Sequence, residues 1–252
     1  MGWLTDPQSL IAFATLLSLE IVLGIDNVIF LSILSGKLPV AQQAKARQLG
    51  LWLAMIMRIG LLLSISWVIR LTEPMFTLLG NAISGRDIVL IGGGLFLMAK
   101  STHEIHQKLE GETGHSSSQV SPTFMSVLVQ IIILDMVFSL DSVITAVGLV
   151  QNVSIMITAI VGAVIFMMIF AGPVGSFVDR HPTVKMLALS FLLLVGMTLM
   201  VEGFDVHVPK GYIYFSMAFS IFVEMLNLRL RRPKVAPVKL HEAYAKPDEP
   251  AR

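Results

Sequence analysis

The chain has 252 residues, 55% of them hydrophobic and 14% charged, with a mean hydropathy of +0.79 and a net charge of +1. Soluble domains carry about 25% charged residues, so a water-soluble fold of this size would expose apolar surface that it cannot hide, and lipid is the fitting solvent. The absence of cysteine excludes disulfides and thiolate metal sites, leaving oxygen and imidazole groups as the available metal ligands.

A membrane-spanning helix needs about 20 mainly apolar residues. Seven stretches meet this requirement, at about 9–35, 49–71, 87–103, 123–150, 154–178, 183–203 and 211–230. The fold class expected is all-α, a polytopic membrane protein of seven transmembrane helices. The first basic residue is Lys37, so the positive region of a cleavable signal peptide is missing and the first span is expected to be retained. The third span is short and opens on Gly92, Gly93 and Gly94, which suit close helix–helix approach better than lipid exposure. Residues 75–84 are too few to cross a bilayer and read as a re-entrant or interfacial piece. Residues 108–122 and 233–252 are polar, charged or Pro-rich and read as solvated segments. The organisation expected is a helical domain over 1–230 followed by a disordered, charged cytoplasmic tail over 231–252.

Basic residues set the orientation. With the C-terminus in the cytoplasm, the inner side collects Lys37, Lys45, Arg47, Lys100, Lys108, Arg180, Lys185 and seven basic residues from Arg229 to Arg252. The outer side has Arg70, Arg86 and Lys210, while Arg58 lies within a span. The expectation is N-terminus outside and C-terminus inside.

The most informative pattern is a match of the first span to the fourth. Residues 19–30 read LEIVLGIDNVIF and residues 134–145 read LDMVFSLDSVIT. Glu20 aligns with Asp135, Asp26 with Asp141 and Asn27 with Ser142. Each repeat unit holds an odd number of helices, three, so the expected architecture is an inverted repeat over about 9–107 and 123–203 with an extra helix at 211–230. Secondary transporters with a midplane site are built this way.

A carboxylate at mid-bilayer costs about 2.5–3.5 kcal/mol on insertion scales, so four of them amount to roughly 10 kcal/mol if unpaired. Only Arg58, deep in the second span, offers a buried positive partner, and one guanidinium does not neutralise four carboxylates. The remainder must be protonated, face water or bind cations. Six residues rise about 9 Å and turn about 240° along a helix, so Glu20 and Asp26 do not share a face. Either the helices break near Gly24 and Ser139, or the two acids serve different surfaces. Antiparallel packing would put Glu20 level with Asp141 and Asp26 level with Asp135. Oxygen clusters of this kind suit Mn²⁺, Mg²⁺ or Ca²⁺.

The segments EIVLGIDN (20–27), LDMVFSLDSVITAVG (134–148), RHPTVKMLALSFLLLVG (180–196), HVPKGYIYF (207–215) and FSIFVEMLNL (219–228) resemble the TerC family of integral membrane proteins. The resemblance covers about residues 1–230 and is to the short form without cytosolic regulatory domains. It implies a seven-helix bacterial inner-membrane protein associated with metal-ion homeostasis, notably manganese export, and with tellurite resistance. By motif it implies an ion site of Glu20, Asp26, Asn27, Asp135, Asp141 and Ser142. Longer relatives append nucleotide-binding-type domains, and no such regulation is expected here.

Around that site Arg58 is expected as the counter-ion of the empty acidic centre. Glu224 and Asn227 read either as an exit vestibule or as interfacial groups beside Arg229 and Arg231. Glu202 and Asp205 are expected in solvent at an outer helix end. His103, Glu104 and His106 resemble a metal cluster but sit at a helix end, and the 15 methionines read as packing fillers. No ATP-binding motif is present, so ATP-driven pumping by this chain is not expected. The leading expectation is a divalent-cation transporter, not an enzyme. It would hold no permanent cofactor, have the bilayer and a metal ion, Mn²⁺ foremost, as partners, and bind no nucleic acid. Two readings compete with it. An intramembrane aspartyl hydrolase would use an Asp dyad, but the chain has Leu-Gly-Ile-Asp at 23–26 where presenilin-like enzymes have Gly-x-Gly-Asp. A non-transporting scaffold or assembly factor in metal or tellurite stress would use the 104–122 loop and the tail as docking surfaces.

Overall fold

A computed structural model describes residues 6–78, 81–110, 122–150 and 152–230, with the side chains of Asp26 and Asp141 outside the described set. Most of the 108–122 segment and all of 233–252, read above as solvated, also fall outside it. Eight α-helices and one β-hairpin follow in chain order: α1 (Pro7–Ser35), α2 (Val40–Leu63), α3 (Ile65–Arg70), β1 (Pro74–Leu78), β2 (Asn81–Ser84), α4 (Gly85–Leu109), α5 (Phe124–Leu149), α6 (Val153–Arg180), α7 (Pro182–Glu202) and α8 (Lys210–Leu230). Seven of these, all but α3, contain a stretch long and apolar enough to cross a bilayer.

The helix starts follow local chemistry. Asp6 caps α1 by accepting from the Ser9 amide at 3.1 Å, and Pro7 follows it at the first helical position, where its missing N–H is no loss. Ser84 and Asp87 form a reciprocal capping box on α4. Thr123 caps α5 at 3.2 Å and Asn152 caps α6 at 3.0 Å. Such caps satisfy amides that the helix cannot pair internally.

One expectation is corrected and another is filled in. The second span begins at Val40 rather than 49, because the polar run VAQQAKARQLG continues as helix beyond the apolar stretch. It ends at Leu63, where the Ser64 hydroxyl donates to the Gly60 carbonyl at 2.7 Å and α3 carries the chain on to Arg70. Residues 75–78 and 81–84, read as a re-entrant or interfacial piece, pair as antiparallel strands, with Thr77 opposite Ala82 and a register irregularity between Pro74 and Phe76. This pairing gives the backbone hydrogen bonds that a short apolar segment needs.

The helices pair selectively. α1 packs along α6, α2 along α5, and α4 along α7, with α2 also against α6. α8 leans mainly on α7. The α4–α7 crossing is the tightest. A Cβ placed on Gly94 would lie 2.5 Å from the Gly196 carbonyl oxygen, and one on Gly196 would lie 2.9 Å from the Gly94 carbonyl oxygen. Gly93 faces Val137 of α5, whereas Gly92 faces open space. Small residues in spanning helices allow this backbone approach where lipid gives no hydrophobic drive. The larger apolar core runs between α1, α2, α4, α5, α6 and α7 through Leu34, Leu90, Leu97, Val127, Val164 and Leu189.

Candidate functional site

Glu20 and Asp135 each lie within about two residues of the midpoint of their helices, α1 and α5. Both are buried, and both point at Arg58 of α2, itself only 3% exposed. Arg58 Nη1 donates to Glu20 Oε2 at 2.5 Å, and Nη2 and Nε donate to Asp135 Oδ1 at 3.0 and 3.3 Å. Asp135 Oδ2 accepts from the Ser139 hydroxyl at 3.0 Å, and the Ser142 hydroxyl turns back to the Ser139 carbonyl at 3.2 Å. The planar guanidinium fork thus ties three helices at one buried point, geometry that a lysine ammonium does not reproduce.

The acids that converge are the equivalent pair of the repeat, Glu20 with Asp135. The levels expected from antiparallel packing were Glu20 with Asp141 and Asp26 with Asp135. The long Arg58 side chain supplies the difference, since it enters from α2 and spans the gap between α1 and α5. Asp26 and Asp141 occupy α1 and α5, with side chains outside the described residues. Among the described residues no group of three or more His, Asp or Glu side chains is gathered closely enough to hold a metal ion.

Neither helix breaks. α1 runs through Gly24 and α5 runs through Ser139 without interruption. Gly24 instead admits Met167 of α6, whose sulfur would lie 2.4 Å from a Cβ at that position. Ser139 serves Asp135 as a hydrogen-bond donor. An unbroken helix keeps its backbone groups paired in lipid, and here side chains alone furnish the polar centre.

Two cavities flank Arg58. The larger has a cavity volume of about 50 Å³ and is lined by Asn27, Arg58 and Ser142 at one end and by Thr198, Glu202, Lys210 and Tyr214 towards the α7–α8 connection. The smaller, about 30 Å³, lies among Asn27, Leu31, Ala54, Arg58, Asp135 and Met167. The repeat-equivalent polar residues Asn27 and Ser142 therefore line one cavity, and Asn27 and Arg58 line both.

Outside this centre the structure corrects one placement and adds contacts at others. Glu202, expected in solvent, is buried in the wall of the larger cavity. Its position at the end of an apolar run, followed by Gly203, gives no one-dimensional sign that α8 covers it. Asp205 is exposed and left-handed, with φ 60°. Glu224 does not reach Arg58. It accepts from the Thr183 hydroxyl at 2.5 Å and ties α8 to the start of α7, and Asn227 is exposed. Glu104 turns inward to Lys37 and to Lys100 at 3.1 Å, while His103 and His106 face outward, so the three do not form a metal cluster. The sequence reading missed the buried Lys37–Glu104 pair, whose signal was a carboxylate four residues after Lys100 on an otherwise apolar face. Lys37 lies outside the spans, and burial pushes its ammonium below the usual lysine range against the opposing pull of Glu104.

No solved structure matches the chain. The chain is 59% identical over 227 residues to the UPF0053 inner membrane protein YgdQ of Escherichia coli strain K12, covering 90% of this chain and 95% of that one. It is 54% identical over 231 residues to a UPF0053 protein of Haemophilus influenzae, covering 91% and 98%. It is 49% identical over 235 residues to the UPF0053 inner membrane protein YoaE of Escherichia coli K12, covering 92% of this chain and 45% of that longer protein. The family model described as the integral membrane protein TerC family matches residues 5–235, and with seven bilayer-length helices in place the chain belongs to that family.

Proposed function

We propose that this protein is a secondary transporter of a divalent cation in the inner membrane, with Mn²⁺ as the favoured substrate, export as the direction, and no enzymatic activity. The observation that carries the reading is the convergence of Glu20 and Asp135, midway along α1 and α5, on the single buried Arg58. Two further acids, Asp26 and Asp141, lie on the same two helices. Charge held this way at mid-bilayer depth marks ion pathways in membrane proteins, and carboxylate, amide and hydroxyl oxygens suit Mn²⁺, Mg²⁺ or Ca²⁺.

The packing supports an inverted repeat of three helices with α8 added. Exchanging α1, α2 and α4 for α5, α6 and α7 carries the α1–α6 contact onto α5–α2 and returns the α2–α6 and α4–α7 contacts to themselves. Passing from the larger cavity to the smaller, the lining residues advance along α1 from Leu23 to Leu31 and retreat along α5 from Ser142 to Ile131. That opposite progress is what antiparallel repeat helices produce. The basic-residue distribution then sets the N-terminus outside and the C-terminus in the cytoplasm.

One observation favours a second reading. Arg58 alone pairs with both Glu20 and Asp135, as a purely structural network in a scaffold would also require. Cellular manganese content and manganese tolerance on overexpression separate the two. Transport predicts lower content and higher tolerance, both lost in Asp26→Asn and Asp141→Asn. Unchanged content across Mn²⁺, Ca²⁺ and Mg²⁺ for wild type and variants alike would sink the transport reading.

A further inference from the structure

Arg58 and Asn27 form the shared wall between the two cavities, and only Arg58 carries a charge there. Resting on the transport reading above, we propose that the Arg58 guanidinium is a resident competitor of the transported cation: it closes the passage between the cavities while the site is empty, and a divalent cation must displace it from Glu20 and Asp135 to pass.

The geometry explains both halves of that cycle. In the empty site the fork donates to a carboxylate on each of the two repeat helices. Withdrawing it with nothing in its place would strand two buried negative charges, so the passage stays shut without cargo. A divalent ion brings twice the charge of a guanidinium to the same carboxylates, and attraction scales with charge. The displaced side chain has somewhere to go, because the cavity beside it, about 50 Å³, is lined by the polar residues Asn27, Ser142 and Thr198. Release is built in too, since Arg58 remains tethered to α2 and its return expels the ion. A site with a tethered competitor binds its ion less tightly than its ligand set alone would allow and exchanges it faster.

The cysteine-free sequence permits a direct test. Single cysteines at Thr198 (larger cavity) and Ala54 (smaller cavity) are labelled in proteoliposomes with a membrane-impermeant maleimide, with and without Mn²⁺. Mn²⁺ binding to purified protein in detergent is followed by the paramagnetic resonance of free Mn²⁺. With Arg58 present and no Mn²⁺, the Thr198→Cys and Ala54→Cys sites are expected not to label from the same side, and Mn²⁺ should change Ala54→Cys labelling at least threefold. Arg58→Gln should bind Mn²⁺ at least tenfold more tightly, exchange it more slowly, and let both cysteines label from one side without Mn²⁺. Arg58→Lys serves where Arg58→Gln does not fold; its ammonium lacks the fork, so Mn²⁺ binding should again tighten. Wild-type Mn²⁺ binding that is equalled or weakened in the folded Arg58 variants overturns this inference and leaves the transport reading standing. Unchanged Ala54→Cys labelling on Mn²⁺ addition to a protein that binds it does the same. Absence of any Mn²⁺ binding or flux in the wild type overturns the transport reading, and this inference with it.

Discussion

The α4–α7 crossing yields a prediction that the structure allows to be worked in numbers. In Gly94→Ala the new Cβ stands 2.5 Å from the Gly196 carbonyl oxygen and 2.8 Å from the Met200 amide nitrogen. Both obstacles are backbone atoms, so no rotamer change removes them. Restoring ordinary contact at 3.4 Å or more requires the helices to part by about 1 Å. Overpacking of this kind costs about 1–3 kcal/mol, and the better helix propensity of alanine returns about 1 kcal/mol. The expected net loss is about 0–2 kcal/mol, or about 1–3 kcal/mol relative to a control that has the propensity gain alone. Gly92→Ala is the internal control, because nothing lies within 4 Å of its Cβ and only the propensity gain applies. Unfolding by sodium dodecyl sulfate in mixed micelles, read by the fluorescence of Trp52 and Trp67, measures both variants against wild type. The effect should extend to transport, since α7 carries Thr198 and Glu202 in the wall of the larger cavity. Equal stability of Gly94→Ala and Gly92→Ala would refute the close crossing.

Ser139→Ala removes the hydroxyl that donates to Asp135; a bond to a charged acceptor is worth about 1.5–3 kcal/mol, and the same micelle titration should show a loss in that range. A loss below a few tenths of a kcal/mol would mean that Ser139 does not orient Asp135. For Lys37, burial lowers the ammonium below its reference of 10.5 in the folded chain. The unfolded chain therefore holds the extra proton over a window just below pH 10.5, and stability attributable to this residue rises as pH climbs through that window. Lys37→Met should flatten that rise, and an undiminished slope in the variant contradicts the assignment. Glu224→Gln keeps an acceptor for Thr183 and lies away from both cavities, so manganese flux should stay within about twofold of wild type, whereas an exit-vestibule role for Glu224 requires a loss of the order expected for Asp26→Asn.

How far the sequence reveals this molecule depends on whether a feature is written along the chain or across it. Apolar run length gives seven spans, because lipid forces each crossing segment to be continuously apolar and internally hydrogen-bonded. The same criterion misplaces the start of α2, since the polar residues 40–48 continue the helix without being apolar, and it says nothing of the strands 74–78 and 81–84, whose hydrogen bonds lie between them. The site divides in the same way. Glu20, Asp135 and Arg58 are visible as charges that no lipid-facing surface tolerates. That Arg58 chooses the equivalent acids of the two halves is fixed by the angle at which α2 enters between α1 and α5, a tertiary quantity. Glu202 is the clearest case. Its neighbours along the chain suit a solvated helix end, and only the packing of α8 on α7 places it in the wall of a cavity that leads to Arg58. The charge imbalance read from the sequence survives in sharpened form, because Arg58 is wholly engaged by Glu20 and Asp135 and so is not free to neutralise Asp26 and Asp141 as well. On the transport reading proposed above, the cation that balances those two acids is the cargo itself, and protonation or contact with water are the alternatives that the same burial cost allows.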